Sequence, residues 1–240
     1  KYICITAFLE FVNCLSKFNG DKKKQTDSHS QAMLAVNAVL QPEGYKTITR
    51  GSAKNFNFAY KFNAGDTKLG SMAGGKKPLG ALIRDALDGV FTAQAELQKI
   101  LVAEWKQTAR IVKEKYKWNG RWQERNVFKD GTIRGLDGRK IRVKLEKDVL
   151  VYALQSDEAI MMQKAYIIAD REIRKKYKYG VDFCWVCHYH DEFTGEFKPE
   201  IAEECKRIME ESITKAGEFY ELAIPQIGEG EIGMTWAEVH

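Results

Sequence analysis

The spacing of apolar residues changes character once along this chain, close to Asn119-Gly120. Before that point the pattern is that of helix faces: Leu97, Leu101, Trp105 and Val112 fit one apolar stripe with Lys and Glu opposite. Beyond it, 127–145 (VFKDGTIRGLDGRKIRVKL) reads as short strands broken at Asp130-Gly131 and Asp137-Gly138, both strong turn pairs. The change predicts an α+β chain: a helical subdomain, then a second built on a small antiparallel sheet with packed helices. In the first part helices are expected over 2–18, 30–40, 49–62 and 81–117, with 63–80 a loop because it holds Gly65, Gly70, Gly74, Gly75 and Gly80. In the second, a helix is expected from Ser156 to about Lys176, a strand over 181–190, a returning strand over Phe193–Phe197 and a helix opened by Pro199. The tail from Glu221 reads as irregular or short strand.

At 44% apolar and 30% charged residues, the chain is neither a disordered tail nor a fibre nor a disulfide miniprotein. No run approaches the roughly 20 apolar residues of a membrane span. Five cysteines, an odd number, fit reduced thiols better than a disulfide framework. The net charge of +5 hides a division: 45–147 holds 23 basic and 10 acidic residues, while 196–240 holds 4 and 11. A basic stretch of that kind suits a polyanionic partner.

Four constellations could carry chemistry. Arg50, Lys54, Phe58 and Phe62 are four apart and climb one helix face, cations first and rings after, a surface suited to a nucleotide. The same spacing also reads as an amphipathic helix with two core Phe and two solvated cations. Asp27-Ser28-His29 puts a potential phosphate donor shortly before it. Gly135–Lys140 (GLDGRK) is a tight turn followed by cations, which suits a sugar-phosphate backbone or a plain charged hairpin equally well. His190-Asp191-Glu192 sets two hard-oxygen donors on a turn, as a divalent cation requires. Cys184-Trp185-Val186-Cys187-His188 matches the haem-attachment string, but a regular strand would put the two thiols on opposite faces, which suits neither haem, zinc nor a redox pair.

In this order the four sites resemble those of a family A (polymerase-I-like) DNA polymerase, closest to the short phage replicative type. The stripe from Arg50 to Phe62 resembles the fingers helix, motif B. Tyr189-His190-Asp191-Glu192-Phe193 resembles motif C of the palm. Gly135–Arg139 followed by Leu154-Gln155-Ser156 resembles the palm segment that tracks the primer-template. Asp27-x-His29 resembles the histidine site ahead of motif B, and Gly228–Gly233 with Trp236 and His240 resembles the C-terminus of the phage enzymes. The resemblance implies a palm-proximal helix at 1–19, fingers at 20–122 and palm at 123–240. It implies Mg²⁺ at Asp191 and Glu192 in a two-ion scheme, and a triphosphate held by His29, Arg50 and Lys54. Lys54 would be the proton donor, Phe58 would lie near the sugar and Phe62 near the templating base. Gly138, Arg139, Gln155 and His190 would contact the primer-template.

The sequence departs from that family in places. Phe62 stands where Tyr is usual, Asn63 where Gly is usual, and Val151 where Asn is usual. The other metal-binding Asp, of motif A, is expected just upstream of Lys1, outside this chain, with thumb and exonuclease further upstream. The expected function is template-directed DNA synthesis from dNTPs on a primer, in a bacterial or phage-infected cytoplasm. The rest of the polymerase chain and a thumb-bound processivity factor are expected partners, and the fragment alone is expected to be inactive. The alternative is a non-catalytic nucleic-acid-binding module.

Overall fold

The computed structural model describes residues 3–9 and 23–239 and divides the chain into two compact units, one formed by 19–155 and the other by 1–18 with 156–240. The division gathers 123–155 with the residues before it.

The first unit begins with helices α1 (Ser28–Leu40), α2 (Arg50–Lys61), α3 (Asp66–Met72), α4 (Lys77–Val90) and α5 (Thr92–Thr108). Asp27 caps α1 by accepting from the His29 and Ser30 amides, and Thr49 caps α2 through Ser52 N. Ala32, Val36 and Leu40 of α1 meet Phe56 and Tyr60 of α2 and Ile83 and Leu87 of α4 in one core. Each of the larger side chains contributes about 1.5–3 kcal/mol by leaving water.

The loop expected over 63–80 is largely helix. Two of its glycines are there for close packing of α3 on α4. A Cβ on Gly80 would lie 1.8 Å from the Asp66 carbonyl oxygen, and one on Gly70 would lie 2.2 Å from the Lys76 carbonyl oxygen. The helix expected to run to 117 stops at Thr108. From there β2 (Arg110–Trp118) and β3 (Arg121–Lys129) form a two-stranded ribbon. Ile111, Val112, Tyr116 and Trp118 favour strand, and Asn119 (φ 47°) with Gly120 (φ 78°) makes the paired left-handed turn that twisted ribbons prefer. Next, β4 (Gly131–Arg134) and β5 (Lys140–Val143) form a hairpin packed on buried Trp105, whose Nε1 donates to the Val143 carbonyl at 2.8 Å. Gly131 is required there, since a Cβ would fall 2.5 Å from Trp105 O.

Helix α6 (Val149–Arg174) starts seven residues earlier than expected. Val149 and Ala153 join the Trp105 core.

The second unit is a four-stranded sheet in the order β6 (Phe183–Tyr189), β7 (Glu192–Phe197), β1 (Ile3–Leu9), β8 (Gly228–Gly233), antiparallel at each pairing. Met162, Ala165 and Ala169 of α6 and Cys205, Met209 and Ile213 of α7 (Ala202–Phe219) bury its Phe183, Phe193 and Phe197. The helix expected over 2–18 is therefore a strand over Ile3–Leu9; the rest of that expectation lies outside the described residues. Its run of apolar residues, with β-branched Ile3, Ile5 and Thr6, suits a strand paired on both sides, and a short apolar run does not distinguish strand from helix by spacing.

Candidate functional site

Helix α2 separates its residues into two sets. Ala53, Phe56, Asn57 and Tyr60 are buried, and the Tyr60 hydroxyl donates to Asp88 at 2.7 Å. Phe58 and Phe62, which the amphipathic reading would bury, are instead 40% and 47% exposed and lie near-parallel with centroids 6.5 Å apart. The exposed Lys54 ammonium sits 5.8 Å from the Phe58 ring centre. Two rings in water on a cationic face are placed for something other than the core.

His29, in the first turn of α1, joins this face. It is buried, its ring centre lies 5.9 Å from that of Phe58, and its Nδ1 is 2.9 Å from Asn57 Nδ2. With the amide as donor, Nδ1 accepts and the imidazole proton sits on Nε2, free to donate. Burial holds the His29 pKa below its ordinary value, with Lys61 and Arg50 adding to that effect, so the ring favours the neutral form. Asn57 Oδ1 is buried without a hydrogen-bond partner.

Arg50 is placed differently from the expectation. Its Nη2 and Nε donate to the Asp27 carboxylate at 2.7 and 3.3 Å, and Ser30 Oγ donates to the same group at 2.6 Å. Burial alone would raise the Asp27 pKa, but the hydrogen bonds from Arg50 and Ser30 outweigh it and hold the carboxyl well below the usual range. Arg50 thus ties α2 to the start of α1. Sequence reasoning missed Lys61, half-buried on the same face: eleven residues from Arg50, it is rotated only about 20° from it on a helix. Burial lowers its pKa. Its spacing from Arg50 was the available signal.

The turn between β4 and β5 closes through Gly135 N to Arg139 O (2.9 Å) and Gly138 N to Gly135 O (2.8 Å). Gly138, at φ 80°, meets a backbone requirement, not a packing one. Arg139 is exposed, as is Gln155 on α6.

In the second unit, His190 and Asp191 form the two-residue turn between β6 and β7, and Tyr189 pairs with Glu192. His190 takes φ 51°, a conformation that costs a non-glycine residue about 1 kcal/mol or more, so a side chain is retained where glycine would be easier. Asp191 is exposed and Glu192 half-buried. Glu158, on α6, is a third carboxylate here: burial raises its pKa, and the Asp191 charge adds to the rise. Nothing in its sequence surroundings pointed to the turn.

The neighbouring strand bears on any cation site. The register sets Phe8 opposite Glu192, and Ile3–Leu9 holds no carboxylate. β7 is paired on both edges, by β6 and β1. Among the described residues, no group of three or more His, Cys, Asp or Glu could hold a metal ion. Among the described residues the thiols of Cys4, Cys184, Cys187 and Cys205 are free, and Cys184 and Cys187 are half-buried. A bulge at Val186 pairs them with Glu196 and Thr194, residues two apart, so they share a face, contrary to the regular-strand expectation. No helix among the described residues is long and apolar enough to cross a membrane.

No family model matches the chain. It is 29% identical over 201 residues to the DNA-directed DNA polymerase of Enterobacteria phage T3, and equally so to that of Escherichia phage T7; each match covers 80% of this chain and 27% of the relative. It is 28% identical over 139 residues to DNA polymerase I of Aquifex aeolicus (strain VF5), covering 54% of this chain and 24% of that protein. The chain thus spans about a quarter of the length of these relatives. They bear out the resemblance read from the motifs: over four-fifths of its length the chain is similar to phage DNA polymerases, and over half to a bacterial DNA polymerase I.

Proposed function

We propose that the chain carries the nucleotide-handling part of a template-directed DNA polymerase, with fingers at 20–122 and palm in the residues that follow. The observation that carries this reading is the α2 face, where Phe58 and Phe62 stand in water beside Lys54 while other residues build the core. Lys54, with His29 donating from Nε2, holds the triphosphate of a dNTP, and Lys54 gives a proton to the departing pyrophosphate. Arg50 adds charge while Asp27 keeps it in place. Phe58 lies against the sugar and Phe62 near the templating base. Gly138 and Arg139 meet the primer-template backbone, as do Gln155 and His190.

The hard oxygens of Asp191 and Glu192, with the Glu158 carboxyl near Asp191, suit Mg²⁺. Such an ion would supply neutralisation of charge at the reacting phosphate. A two-ion scheme needs a further carboxylate, and β1 provides none between Ile3 and Leu9. That favours a second reading, a module that binds nucleotide and nucleic acid without turnover.

Titration of the chain with a fluorescent dNTP tests the first step. Lys54→Ala is expected to weaken binding about tenfold or more, since a charge-assisted contact is lost. Phe58→Ala should also weaken it, and Lys99→Ala, an exposed lysine on α5, should not. Unchanged affinity in Lys54→Ala refutes the assignment. With the upstream polymerase segments supplied, Mg²⁺-dependent incorporation abolished by Asp191→Asn supports the polymerase, and tight binding without turnover supports the second reading.

A further inference from the structure

The β2–β3 ribbon plays no part in the site described above. It carries seven Lys and Arg against two Glu, and its pleat sorts them onto two unlike faces. On one face Glu114 ties down the cations around it. Glu114 accepts from Arg125 Nη2 at 2.8 Å and Lys129 Nζ at 3.1 Å, the Tyr116 hydroxyl donates to Gln123 at 2.7 Å, and the Arg125 guanidinium lies 5.1 Å from the Tyr116 ring centre. On the other, Lys113, Lys115 and Lys117 stand in a row, with Asn126, Glu124 and Trp122 opposite them. Glu124 is the one acid on this face, 4.0 Å from both Lys113 and Lys115, at the outer limit of an ion pair. Lys117 has no ion-pair partner among the described residues. Its cross-strand neighbour Trp122 is 71% exposed, and Trp118, beside the turn, is 60% exposed.

We propose that this face binds single-stranded nucleic acid. The lysines repeat at about 6.8 Å along the strand, a step suited to successive phosphates of an extended chain. Trp122 supplies a plane on which an unpaired base can stack. The row of charge calls for a polyanion. The indole beside it favours a nucleic acid over an acidic peptide, whose carboxylates have no face to stack. It favours a single strand over a duplex, whose bases are already stacked. The surface extends the proposed function but does not depend on the α2 face.

The test is fluorescence anisotropy of the chain with a labelled twelve-nucleotide oligo-dT over a salt series, with dNTP binding measured in parallel. The Lys113→Gln/Lys115→Gln/Lys117→Gln variant should lower the slope of log affinity against log salt by about 2, three phosphate contacts at about 0.7 each. Trp122→Ala should weaken binding roughly tenfold with little change of slope, and Trp122→Phe should restore most of it. All these side chains are exposed, so thermal unfolding should not change. Wild-type affinity and slope in the triple variant would overturn the proposal. So would equal binding of a blunt duplex, or displacement of the oligonucleotide by polyglutamate at equal charge. Because dNTP binding is read separately, its absence refutes the α2 assignment and leaves the ribbon result standing.

Discussion

Asp27 holds two helices at once, and its replacement separates the two effects. Its carboxylate accepts from the His29 and Ser30 amides, which caps α1, and from Arg50 Nε and Nη2, which fixes the start of α2. Asn keeps the cap and loses the charge; Ala loses both. A charge-assisted hydrogen bond contributes about 1.5–3 kcal/mol. The Arg50 side chain is 36% exposed, against 7% for Asp27, so solvent screening puts the value near the low end. Asp27→Asn is therefore expected to cost about 1.5 kcal/mol, and Asp27→Ala about 1 kcal/mol more for the lost cap. The folded-state pKa of Asp27 lies below its unfolded value. The charge contribution is thus fully present above about pH 5 and is lost as pH falls through the unfolded value of about 3.9 towards the folded one. Asp27→Asn should lack that part of the acid sensitivity. Since the two units need not unfold together, amide hydrogen exchange across 28–40 is the suitable assay. A loss under about 0.5 kcal/mol in Asp27→Ala would refute the reasoning about the tie. Equal losses for Asn and Ala would refute the cap.

Gly80→Ala should destabilise the α3–α4 pair by about 3 kcal/mol or prevent folding, because its Cβ would meet backbone. Gly89→Ala, in the same helix with open space around it, should stabilise by about 0.5–1 kcal/mol in urea unfolding. The folded pKa of His29 is depressed, so its contribution is present above the unfolded value of about 6.5 and lost as pH falls through the folded one. His29→Gln should flatten stability between pH 7 and 5, measured by thermal unfolding at each pH.

Much of the architecture was readable from local chemistry. Thr49, Asp27 and Pro199 mark helix starts, and Asp130-Gly131 sits at the join of β3 and β4. What local reading missed was set by distant contacts. Gly70 and Gly80 read as loop until the opposing backbone of α3 and α4 is known. Ile3–Leu9 reads as helix until β7 and β8 flank it. At the site, residue types and order were legible, but two partnerships were not. The Arg50 bond to Asp27 spans 23 residues, and Glu158 comes near the acidic turn only through the fold. The exposure of Phe58 and Phe62 removes the reading of these two rings as core, which spacing alone favoured.

The proposed function requires that a nucleotide bound at the α2 face be selected against a template. The most direct measurement is the affinity of each of the four dNTPs for the chain bound to primer-templates that differ only in the templating base. The matched dNTP should bind at least about tenfold tighter, a difference of about 1.4 kcal/mol, and Lys54→Ala should weaken binding of all four about tenfold or more. Four dNTPs bound alike whatever the template would contradict the proposed function.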